Sequence, residues 1–170
     1  MGFIDDFKKI FSINKITNLG TYTIIKPETL TGITTKISDY EFDLPKHMYF
    51  IKENVDVSCD MFYIISFSEN NIHDLNKSTI CVQDEFIIRD PNILNINEFT
   101  ITNSDIFINK LIYNKIDELN NIKKNCIAYR FLYGGCYKLL TLEIPEECFI
   151  DEINYSKIAL ELIASTFKII

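Results

Sequence analysis

A chain of 170 residues fits one domain and is long enough to bury a core of its own. Apolar residues make up 47% of it and charged residues 24%, a balance that excludes an intrinsically disordered chain. Seventeen basic and 24 acidic side chains give a net charge of -7, and phosphate backbones would repel so acidic a surface. Direct nucleic-acid binding is therefore not expected, whereas a basic protein partner is electrostatically favoured.

The cysteines and the first residues indicate a reducing compartment. The five cysteines are odd in number and form no C-x-x-C pair. The N-terminus lacks the basic and apolar regions of a signal peptide, and no apolar run approaches the roughly 18 residues that span a bilayer. We therefore expect a cytoplasmic protein with reduced thiols and no membrane span. The abundance of Ile, Asn and Lys indicates an AT-rich coding sequence, which is typical of a microbial source.

The first 50 residues predict a helix followed by strands. Residues 1–13 carry large apolar side chains at helical spacing, which predicts an N-terminal amphipathic helix packed on the domain or extending from it. Residues 22–26 and 32–38 follow as predicted strands. From Asp39 to Leu44, acidic and apolar residues then alternate, and in a strand this places three carboxylates on one face. Those carboxylates belong to Asp39, Glu41 and Asp43.

The middle of the chain predicts two strands and one long helix. Residues 55–67 and 79–88 are rich in β-branched and aromatic residues, which favour strands. From about Asp105 to Lys124, apolar residues recur at spacings of three and four and predict a helix. These apolar residues are Ile108, Leu111, Ile112, Ile116, Leu119 and Ile122.

The last third carries the strongest local signal. Gly134-Gly135 joins two β-type runs, 126–133 and 136–144, and glycines accept the positive φ angles of a two-residue hairpin turn. An amphipathic helix from Asp151 to Lys168 follows. Together these elements predict one α+β domain over residues 1–170, in which an antiparallel sheet of about six or seven strands is flanked by helices in an α/β sandwich.

Few residues predict chemistry. Cys136 follows the two glycines and would be a nucleophile if His47 or His73 folded beside it, but its surroundings match no nucleophile motif and favour a small buried residue at the start of a returning strand. No two Cys or His residues have the close spacing of a metal site, so no metal is expected. No glycine-rich loop joins a strand to a helix, so no phosphate-containing cofactor is expected either.

A second group of acids precedes and opens the last helix. Their negative charge suits the positive end of the helix dipole, which is one interpretation. The other is a patch that docks onto a basic protein surface together with the strand acids. This group consists of Glu143, Glu146, Glu147, Asp151 and Glu152.

Four features resemble the Mog1/PsbP-like group: Phe42-Asp43-Leu44-Pro45, the central helix predicted from Asp105 to Lys124, the hairpin across Gly134-Gly135 with the run Leu139 to Glu146, and the closing helix with residues 164–168. The resemblance covers Tyr40 to the C-terminus, although Tyr49 or Phe50 would have to replace the tryptophan usual after the Leu-Pro. It implies a non-catalytic protein, because the group is dominated by photosystem extrinsic subunits, a small-GTPase binder, secretion-system chaperones and immunity proteins.

The sequence thus favours a non-catalytic, cytoplasmic immunity or inhibitor protein that occludes a basic toxin, such as a nuclease, with its carboxylates. The first alternative is a chaperone or adaptor that binds an apolar segment of a partner. The second alternative is a cysteine hydrolase that uses Cys136.

Overall fold

A computed structural model describes residues 15–46, 48–56, 59–66, 77–85, 91–117, 119 and 121–170, with the backbone alone for 49–66. The strands are β1 (Ile16–Tyr22), β2 (Gly32–Ile37), β3 (Tyr40–Pro45), β4 (Met48–Asp56), β5 (Cys59–Ser66), β6 (Thr79–Asp84), β7 (Ile93–Ile101), β8 (Phe107–Asp117), β9 (Ile122–Tyr133), β10 (Cys136–Pro145) and β11 (Lys168–Ile169). One helix, α1 (Ile150–Thr166), lies within these residues. The predicted helix over 1–13 lies outside them.

The strands form two sheets. The main sheet has the order β1-β7-β8-β9-β10-β6-β5-β4, and the small sheet has the order β11-β3-β2. Neighbouring strands are antiparallel except at one edge, where β1 runs parallel to β7. The α+β class is thus confirmed. The expected count of six or seven strands is too low, and the main sheet is mixed rather than purely antiparallel.

The predicted helix from Asp105 to Lys124 is wrong, because this segment contains all of β8 and the start of β9. The two strands pair in register from Phe107↔Phe131 to Asp117↔Ile122. Apolar residues occur on both faces of β8, because Ile108 and Ile112 are exposed on the face opposite buried Leu111 and Tyr113, and they obscure the alternation of a strand. Of the predicted helices, the one near the C-terminus is therefore the only one found among the described residues.

The hairpin and the last helix are confirmed. Gly134 and Gly135 have φ angles of 61° and 78°, the left-handed region that a two-residue turn between β9 and β10 requires. The predicted helix over 151–168 is α1, which begins one residue earlier and ends at Thr166. The strand predicted over 32–38 is β2, and the acid-containing strand predicted over 39–44 is β3.

The core has two parts, one on each face of the main sheet. On one face, α1 and β3 pack against the main sheet around a group of aromatic rings that includes Phe107, Phe131 and Phe167. On the other face, a smaller cluster contains Leu111, Tyr113, Cys126, Ala128 and Leu139 and contacts Ile16 of β1. Burial of this order supplies most of the folding free energy of a domain.

Candidate functional site

The turn that leads into α1 is the candidate functional site. It comprises residues 146–151 and is called the 146–151 turn below. Phe149 and Ile150 expose 77% and 67% of their surface there, and Glu146, Glu147 and Asp151 are exposed beside them. Isolated exposed apolar residues are common, but two adjacent ones surrounded by three carboxylates form a surface suited to an amphipathic, basic partner.

The backbone of the 146–151 turn is held in place by hydrogen bonds. The Glu146 N–H donates to the carbonyl of Lys123 at 3.0 Å, and the Cys148 N–H donates to the carbonyl of Pro145 at 3.1 Å. The Cys148 thiol points inward and donates to the carboxylate of Glu152. A surface that is ordered before binding loses little conformational entropy when it binds.

Phe149 occupies the N-cap of α1, where the sequence rules for helices favour Ser, Thr, Asp or Asn. It has an extended backbone and makes no side-chain capping hydrogen bond. A capping side chain at this position would stabilise the helix by about 1 kcal/mol. Residues that depart from such local rules are expected at functional sites. The position of Phe149 at the N-cap is a feature that the sequence analysis did not identify.

The predicted acids of the second group do not all reach the surface. Glu146, Glu147 and Asp151 are exposed, whereas Glu143 and Glu152 are buried. Glu143 lies in the main sheet, 3.5 Å from the Nζ of Lys115 and 3.8 Å from the Nζ of Lys124. Glu143 and Glu152 therefore do not contribute to an exposed acidic surface.

The strand acids are partly exposed and have internal partners. Asp39 accepts a hydrogen bond from the Tyr133 hydroxyl, and Asp43 accepts one from the Thr34 hydroxyl at 3.1 Å. Glu41 lies 3.8 Å from the Nζ of Lys36. These contacts occupy the carboxylates that were predicted to bind a partner, and a binding role for them stays a prediction.

The two groups of acids lie at opposite ends of α1. The Asp43 N–H donates to the hydroxyl of Thr166, at the end of the helix, while Asp151 lies in its first turn. Thr166 lies fifteen positions after Asp151 along the helix, a rise of about 22 Å. The structure thus does not join them into one patch.

Lysines border the 146–151 turn. A depression of about 330 Å³ beside it is lined by Glu146 and by Lys115, Lys123 and Lys124, together with asparagine amides. The acidic surface therefore ends at Glu146, and a partner that covers this boundary must match acidic groups on one side and basic groups on the other.

The described cysteines differ in their exposure to solvent. Cys136 is exposed at the start of β10, whereas Cys81 and Cys126 are buried and Cys148 is half-buried. Burial, followed by the carboxylate of Glu152, raises the pKa of the Cys148 thiol to about 12, so this thiol stays protonated at neutral pH. His47 and His73, the predicted partners of Cys136, lie outside the described residues. Within the described ranges, no group of His, Cys, Asp and Glu residues could hold a metal ion.

Comparison with known protein families, with characterised proteins and with solved structures finds no match for this chain. The resemblance to the Mog1/PsbP-like group therefore stays a prediction. In the part of the chain that the structure describes, no helix is long and apolar enough to cross a membrane.

Proposed function

We propose that this protein is a non-catalytic binding module that holds a basic protein partner against the 146–151 turn. In its most specific form, the proposal is a bacterial cytoplasmic immunity or inhibitor protein that blocks the active site of a basic toxin, such as a nuclease. The observation that carries the proposal is the exposed aromatic ring of Phe149 at an uncapped helix N-terminus.

The proposed interface has an apolar residue at its centre and charged residues around it. Burying the ring of Phe149 in a pocket of the partner would supply the central contact, since aromatic side chains are enriched among the residues that dominate binding energy. Lysines and arginines of the partner would surround it and face Glu146, Glu147 and Asp151. The net charge of -7 would attract such a partner over a distance and increase its association rate.

The test begins with affinity capture from the source organism, washed at low and then at high salt, and continues with variants of the captured pair. Phe149→Ser installs a favourable cap and removes the ring, so we expect a helix stabilised by about 1 kcal/mol and binding weakened at least tenfold. Charge reversal of Glu146, Glu147 and Asp151 to lysine should slow association and reduce its salt dependence. Reversal of exposed Glu28 and Asp105, which belong to neither group of acids, is the control.

Binding that is equal in the wild type and in both turn variants would reject the 146–151 turn as the interface. For the immunity form, the captured partner must also lose its toxic activity when it is saturated with the wild-type chain. A partner that binds through the turn but stays active would leave only the general binding module.

A second candidate function is a chaperone or adaptor for an apolar segment, and β2 favours it. This strand forms an edge of the small sheet, and Ile33 on it and Ile25 before it expose 62% and 69% of their surface. An extended peptide could pair with such an edge through main-chain hydrogen bonds. This alternative predicts binding that survives high salt and is lost when residues of β2 are replaced by proline.

A further inference from the structure

A depression of about 330 Å³ opens at one end of β7, β8 and β9, beside the 146–151 turn. Pockets that bind small ligands begin at about 300 Å³, so this volume has room for one large side chain. Leu94 and Ile116 supply apolar side chains to its lining, and 46% of the surface of Leu94 is exposed. Asparagine amides, three lysines and Glu146 complete the lining.

The three lysines differ in how they border the depression. The ammonium groups of Lys115 and Lys124 lie 3.5 Å and 3.8 Å from the carboxylate of Glu143, so these two charges are held toward the protein. Lys123 is exposed and is the cation that a second protein meets first. Lysine stems are apolar below their ammonium groups, so they form walls against which an aromatic ring packs, and an ammonium group over the ring attracts it further.

Phe149 lies three residues after Glu146, which lines the depression and whose N–H donates to the carbonyl of Lys123. Because 77% of the surface of Phe149 is exposed, its ring is not seated in the depression of its own chain. The same end of the molecule therefore presents a projecting aromatic ring next to a depression that is open to solvent.

The charges around these two features are segregated by sign. Glu146, Glu147 and Asp151 are exposed on the side of the turn, and Lys123 is exposed on the side of the strands. A surface that carries both signs side by side is complementary to itself, because a twofold rotation brings the acidic half of one copy against the basic half of the other.

We propose that this surface is an interface between two copies of the chain, in which Phe149 of each copy enters the depression of the other. The ring then contacts the apolar side chains of Leu94 and Ile116 and the lysine stems, and the carboxylates of the turn face Lys123 across the interface. Each depression is filled only by the second copy. The twofold axis repeats the contact, so the association closes at a dimer.

This inference does not rest on the function proposed above. The ring of Phe149 cannot occupy a second copy and a different partner at once, so a partner that binds the 146–151 turn must displace the second copy. Self-association is a property of the purified chain alone, and it can therefore be tested separately from partner binding.

The test is sedimentation equilibrium of the purified full chain from micromolar to millimolar concentration. Physiological ionic strength screens the repulsion between two copies of net charge -7 beyond about 8 Å, while charges in contact still attract. We expect a dimer that dissociates on dilution. Phe149→Ser removes the ring and should weaken the association by roughly tenfold or more.

A charge exchange identifies the surface. Lys123→Glu places acids against acids across the interface, and Glu147→Lys places lysines against lysines, so each variant alone should associate roughly tenfold more weakly than the wild type. An equimolar mixture of the two variants should regain the wild-type affinity, because each copy then opposes the charge of the other. Lys26→Glu, at an exposed lysine outside the depression, is the matched control and should associate as the wild type does.

A monomer at every concentration overturns the inference, and it leaves the proposed binding of a basic partner intact. A dimer that is as tight in Phe149→Ser as in the wild type overturns it as well, since the association then uses another face. The inference also fails if the mixture of charge variants associates no more tightly than either variant alone.

Discussion

The hydroxyl of Tyr129, in the middle of β9, donates a hydrogen bond to Oε1 of Glu161 on α1. The second oxygen of Glu161 accepts a hydrogen bond from the backbone N–H of Ile25 at 3.3 Å. The Nζ of Lys110 lies 3.7 Å from the ring centroid of Tyr22 and 5.8 Å from that of Tyr129. One carboxylate therefore joins the main sheet, α1 and the segment after β1.

A double-mutant cycle should show that Tyr129 and Glu161 stabilise the fold as a pair. Either Tyr129→Phe or Glu161→Gln alone should lower the free energy of unfolding by about 1–3 kcal/mol, because each leaves a partly buried polar group without its charge-assisted partner. The double variant should lose less than the sum of the two, by about 1 kcal/mol. Urea denaturation measures all four chains, with exposed Glu147→Gln as the control. Strict additivity would show that the two side chains act independently.

Stability should fall in alkaline solution, and Tyr129 should account for much of the fall. Burial, followed by the charge of Glu161, raises the pKa of Tyr129 far above its ordinary value of 10.0. Above pH 10 the unfolded chain thus loses the phenolic proton while the folded chain keeps it. The stabilisation is complete below pH 10 and is lost as the pH rises toward the folded-state pKa.

Free energies of unfolding measured between pH 8 and pH 11 test this expectation. Tyr129→Phe should show a shallower decline above pH 10 than the wild type, although it is less stable at pH 8. The folded-state pKa of half-buried Tyr22 is also raised, first by burial, so Tyr22→Phe should give a smaller change in the same direction. Parallel curves for the wild type and Tyr129→Phe would contradict the assignment.

Phe167 should be among the most costly aromatic residues to remove. It follows α1 directly, and its ring centroid lies 5.2 Å from that of Tyr40, 5.3 Å from Phe107 and 5.4 Å from Phe131. Phe167→Ala should cost about 3–5 kcal/mol, since it opens a cavity among these rings. Phe149→Ala, at the other end of the same helix, is the matched control and should stay within about 0.5 kcal/mol of the wild type. Thermal or urea unfolding measures the stability of both variants. Similar losses of stability at the two positions would contradict the packing described for Phe167.

Iodoacetamide should modify Cys136 before Cys81, Cys126 and Cys148. Cys136 is exposed, whereas burial raises the pKa of Cys81, Cys126 and Cys148 and also restricts access. Peptide mapping by mass spectrometry after brief treatment at pH 8 measures the order. Labelling of one of these three cysteines before Cys136 would contradict this order.

Local chemistry allowed the hairpin and α1 to be predicted from sequence. Two successive glycines between β-type runs suit a two-residue turn, and the φ angles of Gly134 and Gly135 agree. The amphipathic pattern of 151–168 likewise became a helix, because its apolar side packs on the sheet. In both cases the residues that predict the element are the same residues that form it.

The segment 105–124 shows where local periodicity fails. Ile108, Leu111 and Ile112 match a helical face, yet Leu111 is buried on one side of β8 while Ile108 and Ile112 remain partly exposed. Exposed apolar residues on the second side of a strand give a spacing that also fits a helix. Pairing with β9 along β8 decided the outcome, and its partners range from Asp117 with Ile122 to Phe107 with Phe131, beyond the reach of one helical turn.

The sequence by itself determined the acidic charge, the α+β class, the glycine hairpin and the closing helix, because each depends on composition or on neighbouring residues. Only the tertiary structure decided which carboxylates reach the surface. Glu143 was enclosed between Lys115 and Lys124 by strand register, and the strand acids were placed at the far end of α1 from Asp151 by packing. Burial and distance are properties of the folded chain, since they depend on which elements cover one another.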